Sequence, residues 1–207
     1  MSDHVEVIGS GSAGAVPDVV VLDVRVQAEA ADVGAALGRA SSATGDLLAV
    51  AAASGIADAD RRTTGMGVST RWDREGRGVV GYTAFQTLRL LVRDRDATSE
   101  LLPRLAAAAG DAFGLDGVSL EVADAGPLHE RARAAAFADA RARAEQYAAL
   151  AGRPLGPVLR VTEASAGPGP APKLRAMAAD AMAAMPVEPG ESQVSASVLV
   201  RFGLGAP

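Results

Sequence analysis

Three stretches of this chain alternate apolar and polar residues with a period of two, and they restrict the fold more than any other feature. Val20, Leu22, Val24, Val26 and Ala28 alternate with Asp23, Arg25 and Gln27. Tyr82, Ala84, Gln86, Leu88, Leu90 and Val92 fall on one side of a second run. Near the end, Val194, Ala196, Val198, Val200, Phe202 and Leu204 alternate with Ser195, Ser197, Leu199 and Arg201. Successive side chains of a strand point to opposite faces, so each run reads as a strand with one buried face.

Helical segments lie between these strands. Asp32 is placed to cap a helix whose Val33, Leu37, Ala40, Thr44, Leu47 and Ala51 keep helical spacing, and Gly55 ends it. Arg62 to Trp72 and Val79 to Arg93 flank DREGRG, a hairpin-turn composition. A helix over 98–109 and a strand over 118–122 follow. The order is β-α-β-β-α-β, that of a ferredoxin-like split βαβ sandwich. Pro127 to Ala151 is a long alanine-rich helix, and Leu155 to Glu163 a further strand. Residues 164–190, rich in Pro, Gly, Ala and Met, read as a long loop with a short helix over 173–185. The expected fold class is α+β: a βαββαβ portion plus the Ala-rich helix and C-terminal antiparallel strands. The chain is read as one unit over 1–207, divisible into 17–124 and into 1–16 with 125–207.

The start of the chain poses a functional question. Gly9-Ser-Gly11-Ser-Ala-Gly14 follows the apolar stretch from Val5 and spells the G-x-G-x-x-G that cradles a pyrophosphate. That fingerprint requires a helix directly after the glycines. Here Ala15-Val16-Pro17-Asp18 and then Val19-Val20-Val21 follow. The glycines are therefore expected to join a short strand over 5–9 to the next strand, with no cofactor bound.

Other residue types exclude further chemistry. Net charge is −5 and aromatics are 3% of the chain, so neither the basic patch nor the stacking rings of a nucleic-acid binder are visible, although Arg131, Arg133, Arg141 and Arg143 cluster. Without cysteine there is no thiol nucleophile, disulfide or Cys-type zinc site. Lys173 is the only lysine, and His4 and His129 the only histidines. Ser10 and Ser12 lack the spacing of a nucleophile elbow. Asp58, Asp60, Asp94 and Asp96 flank predicted elements, where caps and turn residues belong. No catalytic, cofactor-binding or metal-ligating set emerges, and an enzyme is not expected. No run reaches the roughly 18–20 apolar residues of a membrane helix. The opening MSDHVEV has no basic and apolar leader pattern. The expected location is cytoplasmic as given, or periplasmic if a leader was removed.

Contact surfaces are easier to nominate. Ala136, Ala140, Ala144 and Tyr147 form a narrow small-residue face on the long helix, suited to close packing. Trp72 sits beside the hairpin turn. Met177, Met182 and Met185 offer an adaptable apolar surface. These are the candidate interface residues of a homo-oligomer.

Taken in order, several blocks resemble the SIMPL-domain family, bacterial and some animal proteins of unknown function. VEVIGSGSAGAVPDVVVLDVRV resembles the family's opening strand and Pro-Asp strand start. Ser54-Gly55-Ile56 with Thr63-Thr64, Gly81-Tyr82-Thr83-Ala84 leading to Val92-Arg93-Asp94, and Asp116-Gly117-Val118 resemble successive blocks. The helix 132–151 with Gly152-Arg153-Pro154-Leu155-Gly156, and Val187-Glu188-Pro189-Gly190, complete the series. The resemblance implies an α+β protein that self-assembles and is associated with envelope antigens and oxidative-stress tolerance. It implies no catalytic residues. The resulting expectation is a non-enzymatic, self-associating protein with a structural or stress-related interaction role. The alternative is a small-ligand binder or unrecognised enzyme with a pocket between the two portions.

Overall fold

The structure, a computed structural model, describes residues 3–164 and 191–206. Seven strands and three helices follow one another among them: β1 (His4–Ala15), β2 (Val19–Ala30), α1 (Val33–Ala53), β3 (Arg61–Trp72), β4 (Val79–Val92), α2 (Thr98–Ala109), β5 (Phe113–Glu121), α3 (Gly126–Leu150), β6 (Leu155–Ala164) and β7 (Ser192–Leu204). The fold class is α+β. Contacts divide the chain into two compact units, one over 17–121 and one over 3–16, 122–164 and 191–206 of the described residues. The expected helix over 173–185 lies outside the described residues.

The 17–121 unit has the order β-α-β-β-α-β and a four-stranded antiparallel sheet, β3-β4-β2-β5. The hairpin strand β4 inserts between β2 and β3, which is the split βαβ arrangement. The period-two apolar residues explain the core. Val20, Leu22, Val24 and Val26 of β2 share a face with Leu88, Leu90 and Val92 of β4, and this face is covered by Leu47 and Ala51 of α1 and Leu101 and Leu105 of α2. Burying each leucine contributes about 1.5–3 kcal/mol. The opposite face is polar from Asp23 onward, whereas Val19 and Val21 at the start of β2 are buried on that side too. Across β2 and β4, Arg89 forks onto Asp23 at 2.9 and 3.1 Å, while Arg25 pairs with Asp116 at 2.9 Å and lies 5.5 Å from the Phe85 ring centre.

Two sequence expectations for this unit shift in detail. Asp32 does cap α1, its Oδ1 accepting from the Ala35 N–H at 2.8 Å. Val33 and Leu37, however, are exposed, and Ala36 takes the inward place beside Ala40 and Ala84. The larger residues sit one position off the buried stripe because the N-terminal half of α1 packs closely on small residues. Strand β5 begins at Phe113, five residues before the expected 118, since Phe113-Gly114-Leu115 continues the pairing with β2 beyond an irregularity at Asp23/Val24.

The second unit is a three-stranded antiparallel sheet, β1-β7-β6, packed against α3. Its core is Val7, Val198, Val200 and Phe202 against Ala136, Ala140 and Ala144. Strand β1 is not short. It runs from His4 to Ala15, and every residue of it is in register with β7. The glycines therefore lie inside a strand and do not form the junction between two strands. The reason is the helix above them: a Cβ on Gly9 would fall 2.5 Å from Ala140 N and closer still to Ala136 O. On Gly11 it would fall 2.5 Å from Ala132 O. The strand has no side chain there because the backbone of α3 occupies the space.

The block after α3 is explained in the same terms. Arg153 donates to the Gly205 carbonyl at 2.7 Å and to Asp3 at 2.7 Å, tying both chain ends to the start of β6. A Cβ on Gly156 would meet Gly203 O at 2.8 Å, so the close crossing of β6 over β7 requires glycine.

Candidate interaction surfaces

Strand β1 is an outer strand of its sheet, and α3 completes its free edge. The Ser10 N–H donates to Asp139 Oδ2 at 2.9 Å, and Arg143 Nη1 donates to the Ile8 carbonyl at 3.1 Å. Asp139 and Arg143 also pair with each other, at 3.0 Å. One ion pair thus replaces the missing strand by presenting an acceptor to an N–H and a donor to a C=O. The Ser10 N–H, and next the Arg143 guanidinium, hold the Asp139 carboxyl below the usual carboxylate range against an opposing desolvation effect.

This arrangement decides the fate of the alanine face. Ala136, Ala140 and Ala144 are fully buried against β1 and β7 within their own unit. They are not open to another chain, which corrects their nomination as subunit contacts. The face continues through Ala148, not Tyr147: Leu128, Ala132, Ala136, Ala140, Ala144 and Ala148 are the buried positions, one in every four. Tyr147 is 58% exposed and stands apart from that face. Met177, Met182 and Met185 lie outside the described residues.

Of the nominated residues, Tyr147 and Trp72 are left exposed, and Trp72 stands beside further exposed apolar side chains. It ends β3 opposite Val79 and is 58% exposed. Val79 and Val80 beside it are exposed as well. The turn below is rigidly specified. Asp73 Oδ1 accepts the Glu75 and Arg77 N–H groups at 3.1 and 2.8 Å, and Gly76 takes a positive φ of 69°. Three apolar side chains are thus held in place at the end of a hairpin. Further along β3, Met66 is 72% exposed and Val68 39%. Sequence reading missed both, since alternation in RRTTGMGVST is broken by Gly65 and Gly67.

Each unit contains a cavity. One of about 300 Å³ in the 17–121 unit is lined by Ser54, Gly55, Asp60, Arg93, Glu100 and Arg104 among others. Its Asp60 and Arg93 are already engaged with each other through two 2.8 Å hydrogen bonds. Those bonds lower the Asp60 carboxyl and raise the Arg93 guanidinium from their ordinary values. A second, of about 200 Å³ in the other unit, is bounded by Arg133, Phe137, Val161, Glu163 and Val198. Neither brings a nucleophile onto a base. His129 is exposed at the start of α3, and Ser10 and Ser12 face outward from β1. Asp94 accepts the N–H groups of Asp96 and Ala97 as a turn residue, and Asp58 pairs with Arg61. Among the described residues no three or more His, Asp or Glu side chains converge as metal ligands. No described helix is long and apolar enough to cross a membrane.

Residues 5–202 match the family model SIMPL, described as "Protein of unknown function (DUF541)". The chain is 28% identical over 197 residues to "Uncharacterized protein YggE" of Escherichia coli (strain K12), covering 94% of this chain and 78% of the relative. The same figures hold for the proteins of that name in Escherichia coli O157:H7 and Shigella flexneri.

Proposed function

This chain belongs to the SIMPL family, and from that premise we propose that it is a non-enzymatic protein that self-associates and serves a structural or stress-related interaction role. One observation carries the reading. The exposed apolar residues Trp72, Val79 and Val80 are gathered at one end of the β3–β4 hairpin, on a turn whose backbone is fixed by Asp73. Large aromatic side chains held rigidly at the surface are the usual anchors of protein contacts, because little conformational entropy is lost when they are covered. A closed symmetric assembly is the ordinary outcome when such a patch meets its own copy.

The test is the solution mass by light scattering over a range of concentrations. The expected result is a mass several times the 20.8 kDa of the chain, reduced by Trp72→Ser. A monomer at every concentration would overturn self-association. It would favour a second reading, a small-ligand binder, for which the charged 300 Å³ cavity beside Asp60 and Arg93 is the place to begin.

A further inference from the structure

The two sheets present four outer strands, and three of them are blunted. The free edge of β1 is satisfied by Asp139 and Arg143. Strand β6 contains Pro157 and is irregular on both sides of Val158. Strand β5 is the shortest, at nine residues, and is broken by the irregularity at Asp23/Val24. These are the ordinary ways in which a sheet avoids accepting another strand. Strand β3 has less protection. Its pairing with β4 shifts register only near its two ends, between Thr63 and Gly65 and between Arg71 and Trp72, and is regular from Gly65 to Arg71; it has no proline, and among the described residues no strand pairs with its outer side.

The chemistry along this edge is specific. Strand β3 carries Arg61, Arg62 and Arg71 and no carboxylate. Arg62 has no ion-pair or hydrogen-bond partner among the described residues, while Arg71 is shared with Glu29 at 2.7 Å. Arg62 and Arg71 stand about 26 Å apart, since their partners on β4 are eight residues apart at about 3.3 Å per residue. Their cross-strand partners are Arg89 and Gly81, which places both on the face opposite the helices. Between them on that face are Gly65, Gly67 and Ser69, which leave the backbone accessible. On the helix side Met66 and Val68 are exposed. Arg61 bonds to the Leu48 carbonyl of α1.

We propose that the outer edge of β3, from Arg62 to Arg71, accepts an extended segment of a different protein as an added strand, with apolar residues toward Met66 and Val68 and carboxylates at its two ends toward Arg62 and Arg71. Main-chain hydrogen bonds give such additions their affinity and alternate side chains their specificity. A second copy of β3 fits poorly. The antiparallel pairing of two β3 strands centred on Gly67, which keeps the helix-side residues of both copies on one face, sets Arg62 against the second copy's Arg71 once the extra residue between Thr63 and Gly65 is counted, with no acidic residue in either strand. Like charges directly opposite one another are destabilising. The inference shares with the functional reading only that the protein works through contacts; it does not need self-association.

The experiment uses the full chain and two fluorescein-labelled nine-residue peptides with valine at alternate central positions. One carries aspartate at both ends, the other lysine. Anisotropy titration is expected to show the aspartate peptide binding about tenfold more tightly, as two exposed charge pairs allow. Arg62→Glu, which disturbs no existing pair, should reduce that preference, and the peptide should slow amide exchange within Gly65–Arg71. Equal binding of the two peptides, or binding without protection of β3, would overturn the proposal. So would light scattering in which Met66→Asp dissolves an assembly, because a second copy would then occupy the edge. A monomeric protein that still prefers the aspartate peptide would refute self-association and leave the edge proposal standing.

Discussion

At the scale of the residue, the most consequential positions are those with no side chain. Gly9 and Gly11 allow the backbone of β1 to lie against that of α3, at separations where a Cβ would collide with main-chain atoms of Ala132, Ala136 and Ala140. Backbone cannot move aside as a flexible side chain can. Gly9→Val is therefore expected to destabilise the protein by about 3 kcal/mol or to prevent folding, as overpacking in a rigid seam does. Urea unfolding checks this, with Gly38→Ala on the open side of α1 as the control of little effect. Asp139 carries a second residue-scale prediction. Its folded pKa is depressed by the Ser10 N–H and Arg143. The stabilisation is therefore present above the ordinary carboxylate range and is lost as pH falls through the folded value. The wild type should lose more stability between about pH 5 and pH 3 than Asp139→Asn. Equal losses in thermal melts across that range would remove the role given to the carboxylate. The spacing of Gly9 and Gly11 was legible in the sequence, but its purpose was not. The residues after G-x-G-x-x-G already argued against a phosphate cradle, but only the helix lying on the glycines shows that they form a packing seam.

At the scale of the element, local rules were sufficient wherever one face is buried by a continuous apolar stripe. Helix α2 spans the expected residues 98–109, and β2, β4 and β7 have the expected inward residues, because period and burial coincide in them. The cap of α1 was equally plain. Asp32→Ala should cost about 1 kcal/mol, measured by denaturant midpoint, since one N-terminal N–H loses its acceptor. Reading failed where packing uses small residues. The buried stripe of α3 runs through Ala148 and leaves Tyr147 outside, against the tendency to place an aromatic ring inward. The stripe of α1 passes through Ala36 and leaves Leu37 exposed. In both cases the partner surface is so close that only a methyl group fits. Ala140→Leu should accordingly destabilise by about 1–3 kcal/mol despite its greater hydrophobicity. An unchanged melting temperature would mean that the seam is looser than its geometry implies.

At the scale of the whole molecule, the same rule of small residues governs what the protein can offer to others. The alanine face is consumed in the protomer, so contacts must use other surfaces. The hairpin end with Trp72 and the open edge of β3 are two described surfaces that remain exposed for that purpose. If Trp72 anchors an assembly, Trp72→Ser should lower the mass at fixed concentration while leaving the unfolding free energy of the monomer within about 1 kcal/mol of wild type, as expected for an exposed side chain. A fall in both together would make Trp72 a folding residue instead.

The sequence by itself determined the α+β class, the succession of elements from β2 onward, most strand faces and the family, because each depends on local periodicity or on blocks read in order. Only the tertiary structure decided that β4 lies between β2 and β3, that the first glycines sit under a helix, and that the alanine face is closed while the edge of β3 is open. Those features depend on which distant backbones come within a methyl group of one another. No local pattern of residues carries that distance.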